Sequence, residues 1–494
     1  MKQQEIWSII NNLDQSKLAE SLIHDDGRVR ELAAKRIGVI RDATFVNDLI
    51  HALAIEDTGD IRFEIIRTLN NIGEVSIQPL LEALKSDDED VRYAGASGLC
   101  WVGSAEVISM LCKATEDPTP RVRAAALRSL WNTQILTPEV EEKILACLED
   151  DDSVVVEFAI LAAGELGCSA AVPRLISLLD PPTSRRDRII RSLGNIGDDR
   201  AVEILCKMLI ANLDKIDASF DIHEYKSEQD IAEALGKIAD PRAVVPVIDA
   251  LIHCVTVKRV KEDDGDTDEC NPMISEQDRS VHAHLLVYIS EALFRMGESS
   301  IAPLIETLRK YAVIECEDES LKYCCGRPMS VTREVSHILS KMDHSVVGQI
   351  LKLLEDENSA VRKAAVDCLT KEDVEDKTVR DVLITRIFNE ADGEVKRQIS
   401  WFLRKGGLSS FDDLVSACDK MNRPFTHGEI DTIRGICDAS LRNITSYLAD
   451  PDGEERQKRL ALLRDLISAG FTLSQRRESE RINALFGRAS SFFQ

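Results

Sequence analysis

One cadence recurs eleven times along this chain and restricts what it can fold into. Each copy usually begins with an apolar or small residue, carries small residues three to four positions on, and ends on an apolar residue at the ninth place. Places one, five and nine of such a copy lie within about a third of a turn on a 3.6-residue helix, so each copy predicts a helix with one apolar stripe. The copies begin at Val29, Ile61, Val91, Val122, Val155, Arg185, Ser227, Leu285, Val331, Val361 and Val395.

A second amphipathic stretch precedes most copies, as in residues 77–84, 171–179 and 243–251. Proline near the start of these stretches, at Pro79 and Pro173, suits the first turn of a helix, where its missing N–H would have had no partner. The repeating unit is therefore a helix pair, A followed by B. Pairs that repeat at about thirty residues predict an all-α fold, an α-solenoid of about 11–12 helix pairs with helical caps at both ends.

Residues 189–202 and 231–244, which read IIRSLGNIGDDRAV and IAEALGKIADPRAV, resemble HEAT-like repeats of the short type first described in phycobilisome lyases. The resemblance extends over roughly residues 18 to 405. It implies that the arginine at the second place of a B helix reaches an acidic residue in the A–B turn of its own or the next repeat. Surface ion pairs contribute only about 0–1 kcal/mol, so we expect this ladder to set register more than stability. The expected acidic partners are Asp25, Asp60, Asp90, Asp117 and Asp356.

The spacing of the copies is uneven. The first six begin 30 to 33 residues apart and the last three 30 and 34 apart, whereas the steps between them lengthen to 42, 58 and 46. The second-place arginine is also lost in repeats seven to nine, which predicts altered stacking there. We expect the extra residues, 211–226, 255–279 and 310–330, to form long A–B loops side by side on one edge. The predicted organisation is an N-terminal capping helix (1–17), regular repeats (18–198), repeats with insertions (199–343), regular repeats (344–405), a C-terminal helical cap (406–474) and a polar tail (475–494).

Charge and composition exclude some classes of protein. A net charge of −25 opposes general binding to nucleic acid or to anionic membranes, because phosphate affinity requires clustered Lys and Arg. No run of eighteen apolar residues and no signal-peptide pattern is present, so we expect a cytoplasmic protein with no membrane segment. Thirteen cysteines are an odd number and several fall in predicted helices, which indicates reduced thiols. These are Cys100, Cys147, Cys206, Cys368 and Cys437.

Motifs for metals or catalysis fail on inspection. The acidic stretch 262–269, aligned as an EF-hand loop from Asp264, has Glu269 where glycine is needed and Ser275 where the bidentate glutamate is needed. The single His223–Glu224 pair contrasts with the several pairs of iron-binding helical-repeat hydroxylases. Neither a phosphate loop nor a nucleophile turn occurs, and we expect no cofactor, no metal and no catalytic residue. Cysteines of the predicted loops lack the C-x-x-C spacing of a zinc site: Cys270, Cys316, Cys324 and Cys325.

Aromatic and basic residues lie opposite the predicted buried stripe of several B helices, which in HEAT solenoids line the concave face. Exposed rings beside arginine are typical of protein-binding hot spots, so the leading hypothesis is a non-enzymatic scaffold that binds a protein partner. Three alternatives remain: Trp101 and Trp131 are core residues, the chain is a chromophore lyase or isomerase subunit, or it is a nucleic-acid-binding protein such as a DNA glycosylase. The candidate partner-binding residues are Phe63, Arg67, Tyr93, Trp101, Arg128 and Trp131 in repeats two to four, and Arg397, Trp401 and Arg404 in repeat eleven.

Overall fold

The computed structural model describes residue 10 and residues 13–180, 184–216, 222–256, 276–317 and 330–405. Within these ranges every regular element is helical. The α-helices are α1 (Gln15–Glu20), α2 (Gly27–Ile40), α3 (Val46–Ile55), α4 (Gly59–Ile72), α5 (Ile77–Ala83), α6 (Glu89–Gly98), α7 (Ala105–Ala114), α8 (Pro120–Thr133), α9 (Pro138–Cys147), α10 (Ser153–Glu165), α11 (Val172–Ser177), α12 (Arg186–Ile196), α13 (Val202–Ile216), α14 (Ile222–Ile238), α15 (Val244–Thr256), α16 (Glu276–Arg295), α17 (Glu298–Glu317), α18 (Val331–Ser340), α19 (Val347–Leu353), α20 (Ser359–Asp367), α21 (Lys377–Asn389) and α22 (Gly393–Lys405).

The chain divides into two compact units. One comprises residues 1–247 and 271–295, and the other comprises residues 248–270 and 296–494. In the first unit the B helices are α2, α4, α6, α8, α10, α12, α14 and α16, and in the second they are α18, α20 and α22. Each unit is a stack of helix pairs, so the predicted α-solenoid fold is confirmed.

The ninth place of the cadence faces the core in every repeat, as predicted. All eleven side chains are buried, and none is more than 5% exposed. Burial of one such leucine or isoleucine stabilises the fold by about 1.5–3 kcal/mol. These residues are Ile37, Leu69, Leu99, Leu130, Ala163, Leu193, Leu235, Leu293, Leu339, Leu369 and Leu403.

Small residues bring neighbouring B helices of the first unit into backbone contact. A Cβ atom added to Gly194 of α12 would lie 2.6 Å from the Cα of Ala234 in α14, and one added to Gly236 would lie 2.7 Å from the Cα of Ala292 in α16. Such distances leave no room for a side chain. The B helices of repeats six to eight therefore stack closely, and the altered stacking expected from the loss of their arginines does not extend to these helices.

The B helices separate instead between repeats two and three. Here α4 makes few contacts with α6, which packs on the A helices α3 and α5 and on the next B helix, α8. A Cβ atom added to Gly95 of α6 would lie 2.9 Å from the carbonyl oxygen of Leu80 in α5. Helix α6 therefore lies against A helices more than against α4, and part of α4 remains uncovered.

The predicted arginine ladder is present in four places, always with the acidic residue of the next repeat. Each acid stands five residues before the start of its own copy of the cadence. The shortest N–O distances are 2.6 Å for Arg30–Glu56, 2.8 Å for Arg92–Asp117, 2.7 Å for Arg123–Asp150 and 2.6 Å for Arg362–Glu390. In the last pair the side chains are 8% and 0% exposed, so the expectation of a weak surface ladder is wrong there.

Each of these arginines also binds the turn of its own repeat. Arg123, for example, donates from Nη1 to the backbone oxygens of Asp117 and Pro118 at 2.9 and 3.2 Å. One side chain thus joins two consecutive A–B turns.

Of the five acids expected in the ladder, only Asp117 fills that role with its carboxylate. Asp25 and Asp356 accept from Arg30 and Arg362 through their backbone oxygens. The remaining two lie in first turns of B helices: Asp90 pairs with Arg121 at 2.7 Å, and Asp60 lies in α4. The expectation for these four carboxylates is wrong. Asp60 and Asp90 lie inside B helices, and the carboxylate of Asp356 pairs with Arg309 at 3.3 Å instead of with a second-place arginine.

The described residues of the predicted insertions are helical, except Ser330, which caps the start of α18. The stretch 211–226 includes the end of α13 and the start of α14, and the stretch 255–279 includes the end of α15 and the start of α16. Likewise α17 continues to Glu317, well into the stretch 310–330. The prediction of long loops is therefore wrong for these parts, since the extra residues lengthen the flanking helices.

Several predictions fall outside the described residues. They concern most of the N-terminal cap, the C-terminal cap and tail from residue 406, the acidic stretch 262–269, and the side chains of His223, Cys270, Cys324, Cys325 and Cys437. Four other cysteines expected in helices, Cys100, Cys147, Cys206 and Cys368, are buried and free, as predicted.

Candidate partner-binding surface

Two exposed aromatic rings of successive repeats meet at the surface of the first unit. Phe63 on α4 is 56% exposed, and Trp101, which follows α6, is 45% exposed. Their ring centroids are 6.1 Å apart with an interplanar angle of 89°, the edge-to-face arrangement that aromatic rings favour. We call Phe63 and Trp101 the aromatic pair. Because Trp101 is so exposed, the alternative that it is a core residue is wrong.

Trp101 has a backbone conformation that is unfavourable for a residue with a side chain. Its φ is +72°, in the left-handed region. Seven residues that follow other B helices also have positive φ, and all stand at the thirteenth place of the cadence, where four are glycine, which has no Cβ to clash. Trp101 stands at the eleventh place, two residues before Gly103. A residue with a side chain costs roughly 1–2 kcal/mol there. The residues in question are Arg41, Gly73, Trp101, Gln134, Gly167, Gly197, Ala239 and Gly297.

Tyr93, expected on the exposed face, is buried. Its side chain is 7% exposed, and the guanidinium carbon of Arg121 lies 3.8 Å from its ring centroid. Burial acts to raise the pKa of Tyr93, but the charges of Arg62, Arg128 and Arg121 and a hydrogen bond with Ser97 together outweigh burial and lower it. Tyr93 is therefore not a partner-contacting residue, and the prediction for it is wrong. It is a buried ring with arginines beside it.

The arginines of this region differ in their partners. Arg67 is paired, since its Nη2 lies 2.5 Å from the carboxylate of Glu64. Arg128 is half-buried and reaches the hydroxyl of Ser97 at 3.5 Å. Neither Arg128 nor Arg62 has a carboxylate within 4 Å among the residues that the structure describes. Arg67 is thus neutralised locally, whereas two neighbouring cations are not.

Arg62 and Arg121 are residues that the sequence prediction did not select. For Arg62 a signal existed, because it is a second-place arginine and the place of its ladder acid is taken by Ser86. An arginine at the second place that lacks its ladder acid has a positive charge that can bind another acidic group. No comparable signal marks Arg121, whose position over Tyr93 depends on how α6 and α8 pack.

Trp131 and the residues of repeat eleven occupy other environments. Trp131 on α8 is half-buried, between the exposed and core alternatives. In the second unit, Trp401 on α22 is 55% exposed and Arg397 lies 3.7 Å from the carboxylate of Glu394. Arg404 lies in the same helix, and its side chain is outside the described residues. The two groups of candidate residues therefore belong to different units.

Among the described residues, no group of three or more His, Cys, Asp or Glu side chains is placed to hold a metal ion. None of the described helices has the length and apolar character needed to cross a bilayer. The second unit contains a polar cavity of about 820 Å³, lined in part by Arg333, His337, Lys363 and Asp367. It includes none of the predicted site residues.

Known proteins were compared with this chain. The family model for HEAT repeats matches residues 16–100, 77–155, 108–193 and 141–218, and a HEAT repeat is also matched at 346–371. The "Uncharacterized phycocyanin operon protein Z" of Pseudanabaena tenuis is 27% identical over 189 residues, which cover 38% of this chain and 80% of that protein. The "Bilin biosynthesis protein PecE" of Mastigocladus laminosus is 28% identical over 177 residues, which cover 34% of this chain and 63% of that protein, less than two thirds.

A likeness to solved structures is weaker. The crystal structure of Kap121p matches with a TM-score of 0.45 and 12% identity, over 99% of this chain and 57% of that chain. The family models and the paired helices identify HEAT repeats within residues 16–218 and 346–371. The similarity to the two relatives supports the short, phycobilisome-lyase-like type of HEAT repeat.

Proposed function

We propose that this protein is a non-enzymatic HEAT-repeat scaffold that holds a protein partner on the B-helix surface of repeats two to four, with the aromatic pair at its centre. Arg128 and Trp131 border that surface. Trp401 and Arg397 of repeat eleven are proposed as a separate contact in the second unit.

The observation that carries the proposal is a tryptophan in a place that favours glycine. Trp101 combines a left-handed backbone with 45% exposure. The strain costs roughly 1–2 kcal/mol, and an exposed ring recovers only the contact with Phe63, worth about 0.5–1.5 kcal/mol. Strained residues persist most often where a function depends on them. Tryptophan is also among the residues most enriched at the centres of protein interfaces.

The test uses two glycine substitutions at left-handed residues that follow B helices, Trp101 at the eleventh place of its copy of the cadence and Gln134 at the thirteenth place of the next copy. Trp101→Gly removes the ring and relieves the strain, whereas Gln134→Gly relieves the same strain in the next repeat and leaves the ring in place. Affinity purification from the source organism with each variant, followed by mass spectrometry, should recover a partner with wild type and Gln134→Gly but not with Trp101→Gly. Equal recovery by Trp101→Gly would refute the proposed surface, and circular dichroism of the purified variant distinguishes a loss of binding from a loss of fold.

A second candidate function is a subunit of a chromophore lyase or isomerase. The specific observation that favours it is the 27–28% identity to a phycocyanin operon protein and a bilin biosynthesis protein. Co-production with a bilin and a carrier protein tests this candidate. Bilin absorbance on the carrier that depends on this chain would support it, and carrier absorbance that is unchanged without this chain would dismiss it.

A further inference from the structure

We infer that the surface around the aromatic pair binds an acidic peptide segment that also carries an aromatic or large aliphatic side chain. The inference rests on the proposed scaffold function and specifies the chemistry of the partner. Its basis is the set of arginines that surrounds Tyr93 beside the two exposed rings.

Three guanidinium groups converge on one buried ring. Arg121 lies over the face of Tyr93 at 3.8 Å, and Arg128 reaches Ser97, one helical turn further along the same helix, α6. Arg62 adjoins Phe63 in sequence and is close enough to lower the pKa of Tyr93 together with Arg128. Tyr93 and its arginines therefore lie in the same three repeats, two to four, as the aromatic pair.

Among the described residues, only one of these three charges has a carboxylate partner. Arg121 pairs with Asp90 at 2.7 Å. Arg62 and Arg128 are half-buried, and no described carboxylate lies within 4 Å of either. By contrast, the second-place arginines Arg30, Arg92, Arg123 and Arg362 are each held by a ladder acid. Arg62 and Arg128, which lack a described carboxylate partner, thus form a local excess of positive charge in a chain whose net charge is −25.

The chemistry that matches this excess is a carboxylate-bearing segment. A guanidinium binds a carboxylate through two parallel hydrogen bonds, and partial burial strengthens that interaction. The aromatic pair beside it offers apolar surface for a large side chain. A partner that satisfies both features has acidic residues next to an aromatic or aliphatic one.

A nucleic acid strand matches the surface less well. It too could place phosphates on the arginines and bases on the rings. However, it carries a charge at every nucleotide and would extend beyond Arg62 and Arg128 over a protein that is strongly negative overall. A peptide can confine its carboxylates to the two arginines.

The experiment measures fluorescence anisotropy with labelled probes and the full chain. The probes are a peptide of alternating Glu and Phe, its analogue with Lys in place of Glu, its analogue with Ser in place of Phe, and a single-stranded oligodeoxynucleotide. We expect the Glu–Phe peptide to bind most tightly. Its affinity should fall about tenfold in Trp101→Gly, because one ring of the aromatic pair is lost. It should also fall about tenfold in the double variant Arg62→Gln/Arg128→Gln, because two charge-assisted hydrogen-bonding groups are lost.

Two controls separate a local effect from a general one. Gln134→Gly should leave the affinity unchanged. The double variant Arg174→Gln/Arg188→Gln changes the net charge equally, at exposed arginines of the same unit that pair with Glu149 and Glu157, and should alter the affinity less than twofold.

Two outcomes would overturn the inference. One is equal or tighter binding of the Lys–Phe peptide or of the oligonucleotide. The other is an unchanged affinity for the Glu–Phe peptide in Arg62→Gln/Arg128→Gln. Either result leaves the scaffold proposal to be decided by the purification with Trp101→Gly and Gln134→Gly, so the two failures are distinguishable.

Discussion

The ladder pair Arg362–Glu390 gives a stability prediction that depends on pH. Burial acts to raise the pKa of Glu390, but hydrogen bonds from Arg362, from a backbone N–H and from Arg386 outweigh it and lower the pKa from 4.5 to about 2. A difference of about 2.5 (4.5 − 2), at about 1.4 kcal/mol for each pH unit, corresponds to about 3 kcal/mol of folding stability. A carboxylate with a lowered pKa contributes this stability above its unfolded pKa and loses it as the pH falls.

The assay is urea unfolding followed by circular dichroism from pH 6 to pH 3.5, with wild type and Glu390→Gln. At neutral pH the variant should lose about 3–5 kcal/mol, because Arg362 is left buried without its charged partner. The difference between the two proteins should narrow by about 1.4 kcal/mol by pH 3.5, as the unfolded wild type takes up a proton that the folded state does not.

A matched control exists in the same unit. Glu394 pairs with Lys363 at 2.8 Å, but the side chains are 61% and 45% exposed, so Glu394→Gln should leave the free energy of unfolding unchanged within error. A constant difference between wild type and Glu390→Gln across this pH range would refute the reasoning, because it would mean that Glu390 titrates normally in the folded protein.

Three further predictions follow from backbone geometry and burial. Trp101→Gly should raise the midpoint of thermal unfolding by circular dichroism, since it removes a strain of roughly 1–2 kcal/mol; a lower midpoint would contradict the strain argument. Gly194→Ala should destabilise the fold by more than about 1 kcal/mol because its Cβ would lie 2.6 Å from a backbone atom, whereas Gly348→Ala, with open space around it, should stabilise it by roughly 0.5–1 kcal/mol; equal effects in chemical denaturation would exclude the close contact. Cys316 is exposed and should react with iodoacetamide in the native protein, while burial raises the pKa of Cys368 to about 12 and should leave it unmodified in peptide mapping; modification of Cys368 at the same rate would contradict its burial.

Much of the fold could be predicted from the sequence because a repeated pattern reports the same physical environment many times. The ninth place is buried in all eleven repeats, including Ala163, the one small residue there. The pairing of A and B helices also follows from helical periodicity and the position of proline. These features depend on interactions within a repeat, which lie close together in sequence.

What the sequence did not predict depends on contacts between repeats. Tyr93 occupies a place that would face solvent on a regular B helix, but α6 is seated on A helices and carries the ring into the interior. The extra residues near 211–226 contain no strong helix breaker, and residues 211–216 continue α13 instead of forming a loop. Similarly, the exposure of Trp101 accompanies a left-handed backbone two residues before Gly103, a place at which no other copy of the cadence has a positive φ among the described residues.

The absence of an arginine–acid ladder pair between repeats two and three has a consequence for dynamics. Helix α4 packs against α2 and α3, but Ser86 offers Arg62 no carboxylate, and α4 makes few contacts with α6. The B-helix side of this interface is therefore less well packed than its A-helix side, where α3 packs on α6, and local opening should begin on the B-helix side. Phe63 and Trp101 stand on opposite sides of it. A partner that covers both rings would hold the two sides together, so its binding should slow amide hydrogen exchange along α4, including residues that the partner does not touch.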